Sequence, residues 1–238
     1  YDPKDWDIVG VSAMSTYFPE CCAEVDRAKS FGLKTIIGGP HIICDPESSL
    51  MDSKADYAAI GEGERTLNQL ANGIEPSMVE GLVYWENGKT KRSNPNIQNL
   101  ITEKKMYTTK IGEEERNFQI DIDDFGEPDW DDIDPRSYQK MVPHGMIYKS
   151  LPLAPIITTR GCPYSCSYCQ QGTKYFSKIR FYDGSRIQDE LLYIAKRREE
   201  LGVNISVVEF ADPNFGQYKQ DLDVFEGIKK TQDLYDFP

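Results

Sequence analysis

The sequence predicts an α/β protein: two stretches of alternating strand and helix, each building parallel sheet, joined by a hairpin and an acidic connector. Three observations predict it. Short apolar runs rich in β-branched residues, "DIVGVSAM", "KTIIGGPHI" and "DYAAIGEGE", recur at the period of strand–helix–strand units. A segment with helical spacing of its apolar positions follows each run. The runs are nearly continuously apolar, as strands covered on both faces are.

Each element has its own reason. Residues 7–14 form the first strand. "STYFPECCAEVDRAKSFGLK" reads as a helix with Cys22, Val25, Ala28 and Phe31 facing inward and Gly32 as its C-terminal cap. "KTIIGGPHI" is a buried strand that ends in a glycine pair, and "PESSLMDSKA" is a second helix. "DYAAIGEGE" is a third strand with a glycine-rich exit, and "RTLNQLANG" is a helix with a terminal glycine. After residue 78 the pattern changes. "GLVYWENGKTKR" is a hairpin with Asn87-Gly88 as a type I′ turn. Residues 113–134 hold eleven carboxylates against one arginine and read as a solvated connector. Trp130 and Tyr138 are its candidate anchors onto a neighbouring domain. From residue 154 "APIITTRG" is a strand that runs into a group of cysteines. "DGSRIQDELLYIAKRREELG" is a helix capped by Asp183 or Ser185, with Ile187, Leu191, Ile194 and Ala195 on one face and Gly202 at its end. "ISVVEFADPNFG" is the next strand and its exit loop, and "QDLDVFEGIKKTQ" the next helix. The organisation is therefore a domain over 1–78, a connector over 79–150 and a second domain over 151–238.

Composition narrows the function classes. A net charge of −12 argues against a general nucleic-acid surface, which needs clustered Lys and Arg. No apolar run approaches the roughly 20 residues of a membrane helix, and "YDPKDWDIVG" has no signal-peptide character. Six cysteines in 238 residues, two adjacent at Cys21 and Cys22 and one alone at Cys44, do not read as a disulfide scaffold, so a reducing cytoplasm is the expected compartment. These three are expected to be small buried residues. The absence of an initiator Met and the abrupt "DLYDFP" suggest a piece of a longer polypeptide.

The chemistry concentrates in "TTRGCPYSCSYCQQG". Cys162, Cys166 and Cys169 follow a strand and its glycine directly. The C-terminal end of a strand in a βα fold is where reactive groups are presented. Three thiolates suit a metal group with one position open. Structural zinc takes four protein ligands, so a zinc site would need a distant fourth, and His144 is the one nearby histidine. Iron–sulfur clusters usually take four cysteines; a cubane held by three leaves its fourth iron available to a substrate or cofactor.

C-x₃-C-x₂-C with an aromatic before the last cysteine, in a loop after a strand, resembles the radical S-adenosylmethionine (SAM) enzymes. The resemblance implies that Cys162, Cys166 and Cys169 hold a [4Fe–4S] cluster whose open iron chelates the methionine end of SAM. One electron then cleaves SAM to a 5′-deoxyadenosyl radical that abstracts hydrogen from a substrate. It implies that Tyr168 lies against the adenine, and that Asp212 and Asn214, in "EFADPNFG", approach the SAM amino group. It also implies an electron donor such as flavodoxin or ferredoxin and a partial TIM barrel, of which 151–238 is the first part.

"VGVSAM", "IIGGPHI" and "DYAAIGEGERTL", in that order before the cysteines, resemble the Rossmann-like cobalamin (B12)-binding domain that precedes this barrel in one branch of the family. The resemblance implies that Ser12, Ser15 and Thr16 bond the nucleotide tail or corrin amides. It implies that Gly38 and Gly39 flank the tail, and that Gly61, Glu62 and Gly63 close the far side. The D-x-H-x-x-G motif that supplies a cobalt-ligating histidine is absent, so His41 is expected to be a local structural or corrin-edge residue and not an axial ligand. Methyl transfer to an unactivated carbon or to phosphorus is the implied outcome. The alternatives are a radical SAM enzyme whose first domain binds no cobalamin, and a non-catalytic iron–sulfur or zinc module. The substrate is not legible.

Overall fold

The computed structural model describes residues 5–93, 109–111, 114–116, 128–130, 153–164, 166–169, 179–202, 205 and 207–237. The chain divides into two compact units, Tyr1–Ile120 and Asp121–Pro238.

The first unit carries β1 (Ile8–Ser12), α1 (Phe18–Ser30), β2 (Lys34–Gly38), α2 (Pro40–Cys44), α3 (Pro46–Ser53), β3 (Tyr57–Ala59), α4 (Gly63–Ala71), β4 (Leu82–Glu86) and β5 (Lys89–Arg92). Its five strands lie in the order β1-β2-β3-β4-β5. The first three are parallel, with Ile8 opposite Lys34 and Ile36 opposite Tyr57. The hairpin β4–β5 joins them antiparallel through Ala58 and Val83. The hairpin that opens the expected connector is thus the antiparallel side of this sheet. Asn87 (φ 52°) and Gly88 (φ 75°) are both left-handed, as a type I′ turn demands. A further ribbon pairs β6 (Thr109–Ile111) with β7 (Glu114–Arg116).

The core forms where the apolar runs predict it: Ile37, Leu50, Leu82 and Val83 are almost fully buried. The inner face of α1 differs from the expected one. Cys21, Val25 and Ala28 are buried, whereas Cys22 is half-buried and Phe31 is exposed. The observed trio follows the i, i+4, i+7 spacing of one stripe, and Phe31 lies past the last helical residue, where the stripe ends. α2 was not expected. "GGPHI" reads as a strand end, but Pro40 at the first helical position starts a short helix there. Asp45 caps α3 by accepting from the Ser48 N–H at 3.2 Å.

The second unit carries β8 (Leu153–Ile156), β9 (Thr159–Arg160), β10 (Arg180–Phe181), α5 (Gly184–Leu201), β11 (Val207–Phe210) and α6 (Asp221–Tyr235). β8 and β11 are parallel neighbours, Leu153 opposite Val207 through Ile156 opposite Phe210. β9 and β10 pair antiparallel, with Arg160 opposite Arg180. Asp183 caps α5 by accepting from the Ser185 N–H at 2.8 Å, Gly202 ends it in the left-handed region, and the four predicted inner residues are all buried. α5 and α6 approach closely because glycines face the contact. A methyl group on Gly184 would stand 2.5 Å from Asp223 Cβ, and one on Gly227 3.3 Å from Gln188 Cβ. Trp130 Nε1 donates to the buried Glu190 on α5 at 3.2 Å, so that anchor lies within this unit. Tyr138 and nearly all of the acidic stretch fall outside the described residues. Among the described residues no helix is long and apolar enough to cross a membrane.

Candidate functional site

β8 positions the cysteine loop. Just past its C-terminal end the chain enters β9 at Thr159, and Gly161 (φ 89°) turns it into Cys162. The two threonines at this exit, Thr158 and Thr159, are buried. Buried N–H and hydroxyl groups need partners. One carboxylate supplies them all. Asp212, just beyond β11, accepts from the Thr158 N–H at 3.0 Å and from the Thr159 N–H, and from their hydroxyls at 3.1 and 2.7 Å. Because β8 and β11 are parallel neighbours, Asp212 ties the exits of adjacent strands together. The residue expected near the SAM amino group therefore has both oxygens engaged by the strand exit that leads to the cysteines.

Within the loop, Cys162 is buried, Cys169 half-buried and Cys166 exposed, and all three thiols are free. The Cys169 N–H donates to the Cys166 carbonyl at 3.1 Å, closing a tight turn that leaves Tyr168 91% exposed. Such a ring is free to cover a ligand seated on the loop. Asn214, two residues beyond Asp212, donates from Nδ2 to Cys162 Sγ at 3.1 Å. Among the described residues, no three His, Cys, Asp or Glu side chains converge as ligands of a single metal ion. The donor set, three free soft thiols on one loop, fits a group that meets each sulfur at a separate metal, as an iron–sulfur cube does.

The sequence reading missed what holds the segment from 211 to 220 still. Asp221, buried at the start of α6, accepts from the Gly216 and Tyr218 N–H groups at 2.9 Å each. Phe215 stacks on Phe210 with ring centres 4.5 Å apart and meets Phe225 at 5.6 Å. Tyr164 donates to Gln217 at 3.0 Å, linking this segment to the cysteine loop. The Tyr218 hydroxyl is buried with no hydrogen-bond partner among the described residues. Its burial raises its pKa, and Tyr164, Cys162 and Asp221 nearby add to the rise. The signal for Asp221 was available in "DPNFGQYKQD": an acidic residue following a glycine turn at a helix start.

The first unit gathers its expected residues at the exits of β1, β2 and β3. Ser12 ends β1, and Ser15 and Thr16 follow in an exposed 3-10 turn. Gly38 ends β2. Gly39 (φ 93°) lies against β1's exit, where a methyl group would stand 2.8 Å from Ser12 Oγ and 2.9 Å from the Ala13 nitrogen. Its missing side chain thus serves a contact within the chain. Gly61 and Gly63 have open space where a methyl group would stand, with Glu62 between them as the residue before α4. His41 is held locally: its Nδ1 lies 2.9 Å from Ser15 Oγ and its ring 4.0 Å from that of Phe18. Cys21 is buried and Cys22 half-buried, and burial raises both thiol pKa values. Cys44, expected to be buried, is exposed because it is the last residue of the short α2.

No family model matches the chain. It is 26% identical over 240 aligned residues to an uncharacterized methyltransferase of Pyrococcus horikoshii, an alignment covering 97% of this chain and 44% of that protein. It is 26% identical over 231 residues to the bacteriochlorophyllide d C-12(1)-methyltransferase of Chlorobaculum tepidum, covering 96% of this chain and 41% of that one. A shorter alignment of 75 residues, 32% of this chain and 10% of the relative, is 32% identical to the cobalamin-dependent radical SAM methyltransferase TokK of Streptomyces tokunonensis. Among solved structures, the radical SAM methyltransferase TsrM of Kitasatospora setae superposes with a TM-score of 0.64 at 14% identity over 96% of this chain and 41% of that one. The fold is therefore that of the α/β region of such chains. The chain spans less than half the length of the relatives that align along nearly all of it.

Proposed function

We propose that this chain is the cobalamin-type domain and the first βα units of a radical SAM methyltransferase. One observation carries the reading. Three free thiols, Cys162, Cys166 and Cys169, stand on one loop at the exit of a parallel strand, in a fold shared with chains of that class. The relatives that align along nearly the whole chain are named as methyltransferases, which supports the reaction type.

In this reading the three cysteines hold a [4Fe–4S] cluster, which when bound supplies the electron that breaks the carbon–sulfur bond of SAM. The chain's own residues do the rest. Asp212 fixes the strand exit from which the loop departs. The loop turn at Cys166–Cys169 presents Tyr168 to the adenine. The segment from 211 to 220 walls the buried side of Cys162. In the first unit, the open faces of Gly61 and Gly63 and the hydroxyls of Ser12, Ser15 and Thr16 meet cobalamin, which when bound carries the methyl group.

Gly39 favours a second reading for the first unit. Its side of the glycine pair is occupied by Ser12 and Ala13 of the chain itself, which leaves that face to the fold and not to a ligand. One experiment tests both. The protein is reconstituted anaerobically with iron, sulfide and cobalamin, treated with SAM and dithionite, and analysed by mass spectrometry. 5′-Deoxyadenosine, S-adenosylhomocysteine and bound corrin together support methyl transfer with cobalamin. 5′-Deoxyadenosine alone supports the second reading, and the absence of a cluster spectrum overturns both.

A further inference from the structure

The three sulfurs of the cysteine loop are not equivalent. Cys162 is buried, whereas Cys166 is exposed and Cys169 half-buried. A side-chain hydrogen bond reaches Cys162 from Asn214 Nδ2 at 3.1 Å, and among the described residues no such bond reaches Cys166 or Cys169. Asn214 is not a chance neighbour. Asp212 ties one side of its segment to the exit of β8, Asp221 takes two main-chain N–H groups on the other, and the Phe210–Phe215 stack packs beside it. A donor held this firmly keeps its geometry when the charge on the acceptor changes. Burial of Cys162 strengthens the interaction, since a low local dielectric screens it less.

We infer that Asn214 is a positioning residue for the Cys162 thiolate, and that its N–H···S hydrogen bond raises the reduction potential of the cluster held there. The inference rests on the reading of the site given above. Reduction adds negative charge that is shared with the sulfurs, so an N–H donor stabilises the reduced cluster more than the oxidised one. Asn214 thereby acts on the electron step and not on SAM. It also makes Cys162 the corner at which potential is set, leaving the more exposed Cys166 and Cys169 to complete the grip.

The test compares reconstituted wild-type protein with Asn214→Leu, which is similar in size and has no donor, and Asn214→Asp, which replaces the donor by a negative charge. The cluster is titrated with a graded reductant and followed by electron paramagnetic resonance. Asn214→Leu is expected to lower the reduced-to-oxidised ratio at a fixed potential about tenfold, which is about 59 mV for a one-electron couple, and Asn214→Asp to lower it further. In the wild-type protein the iron–sulfur stretching bands are expected to shift between H₂O and D₂O, and in either variant that component is lost. A wild-type protein that assembles no cluster overturns the proposed function and this inference together. A wild-type cluster whose potential matches that of either variant overturns the inference alone. Should Asn214→Leu not load iron, Asn214→Asp and the wild-type solvent shift decide: an unchanged potential or no shift in D₂O overturns it.

Discussion

The two α/β units hold their strand exits by opposite means. In the first, main chain meets main chain. The Ala13 N–H donates to the Gly38 carbonyl at 2.8 Å, the His41 N–H donates to the Ala13 carbonyl at 3.0 Å, and Gly39 presses into the space between. In the second, a side chain does the work: Asp212 gathers four donors from Thr158 and Thr159. A latch made of backbone depends on the absence of atoms and is broken by adding one. A latch made of a carboxylate is broken by taking it away. The first kind gives a fixed rim; the second places a removable polar group next to the cysteines.

The largest expected effect sharpens what the second latch serves. Replacing any one of Cys162, Cys166 or Cys169 by Ala is expected to abolish the cluster's absorption and its bound iron after anaerobic reconstitution. The same change at Cys21 leaves both intact, and iron analysis separates the two groups. Next comes the latch itself. Asp212→Ala strands buried N–H groups and hydroxyls, at a cost of about 3 kcal/mol. Amide exchange at Thr158 and Thr159 is expected to speed up by roughly a hundredfold, with Ala13 and His41 unchanged. Gly39→Ala reverses the pattern. It forces a methyl group onto β1's exit at a left-handed backbone position and costs about 2 kcal/mol, read as faster exchange at Ala13 and His41 alone. If either variant loosens both exits, the comparison between independent latches fails.

The smallest effect concerns a side-chain tie inside the first unit. Arg92 on β5 donates to Glu47 on α3 through two nitrogens, one bond being 2.9 Å from Nη2 to Oε2. The Arg92 hydrogen bond holds the Glu47 carboxyl below its ordinary value of 4.5 despite partial burial. Its stabilisation is therefore present above the unfolded carboxylate pKa and lost as pH falls through the lower folded value. Both side chains remain partly solvated, so Arg92→Ala is expected to cost less than about 1 kcal/mol at neutral pH. Denaturant midpoints of wild-type and variant should converge as acid protonates Glu47.

Much of the fold was legible because local signals agreed with tertiary demand. Asn87-Gly88 specified its turn, Asp183 its cap, and Ile187, Leu191, Ile194 and Ala195 their helix face. The place of the cysteine loop was legible for a simpler reason: an apolar run ends in a glycine just before Cys162, and β8 and β9 lead into it there. What could not be read depends on contacts far apart in sequence. Neither Asp212 nor Asn214 carries any local mark of its partner, since Thr158 and Cys162 lie on another strand's exit and meet them only when β8 and β11 pair. The inner face of α1 was misjudged by one position because Cys21 and Cys22 are identical in character, and only the placement of the helix on the sheet distinguishes them. The neighbour that Gly39 lies against was hidden for a related reason. A glycine at a strand exit signals close approach, but not to what.

The short β9–β10 ladder has a consequence for loop length. Leaving at Arg160 and returning at Arg180, the chain makes its excursion through a two-rung neck. With the ends already pinned, the length and sequence between them bear weakly on the cost of closure. A change of length between those two rungs therefore costs little in closure entropy, while the register of β8 with β11 is set elsewhere.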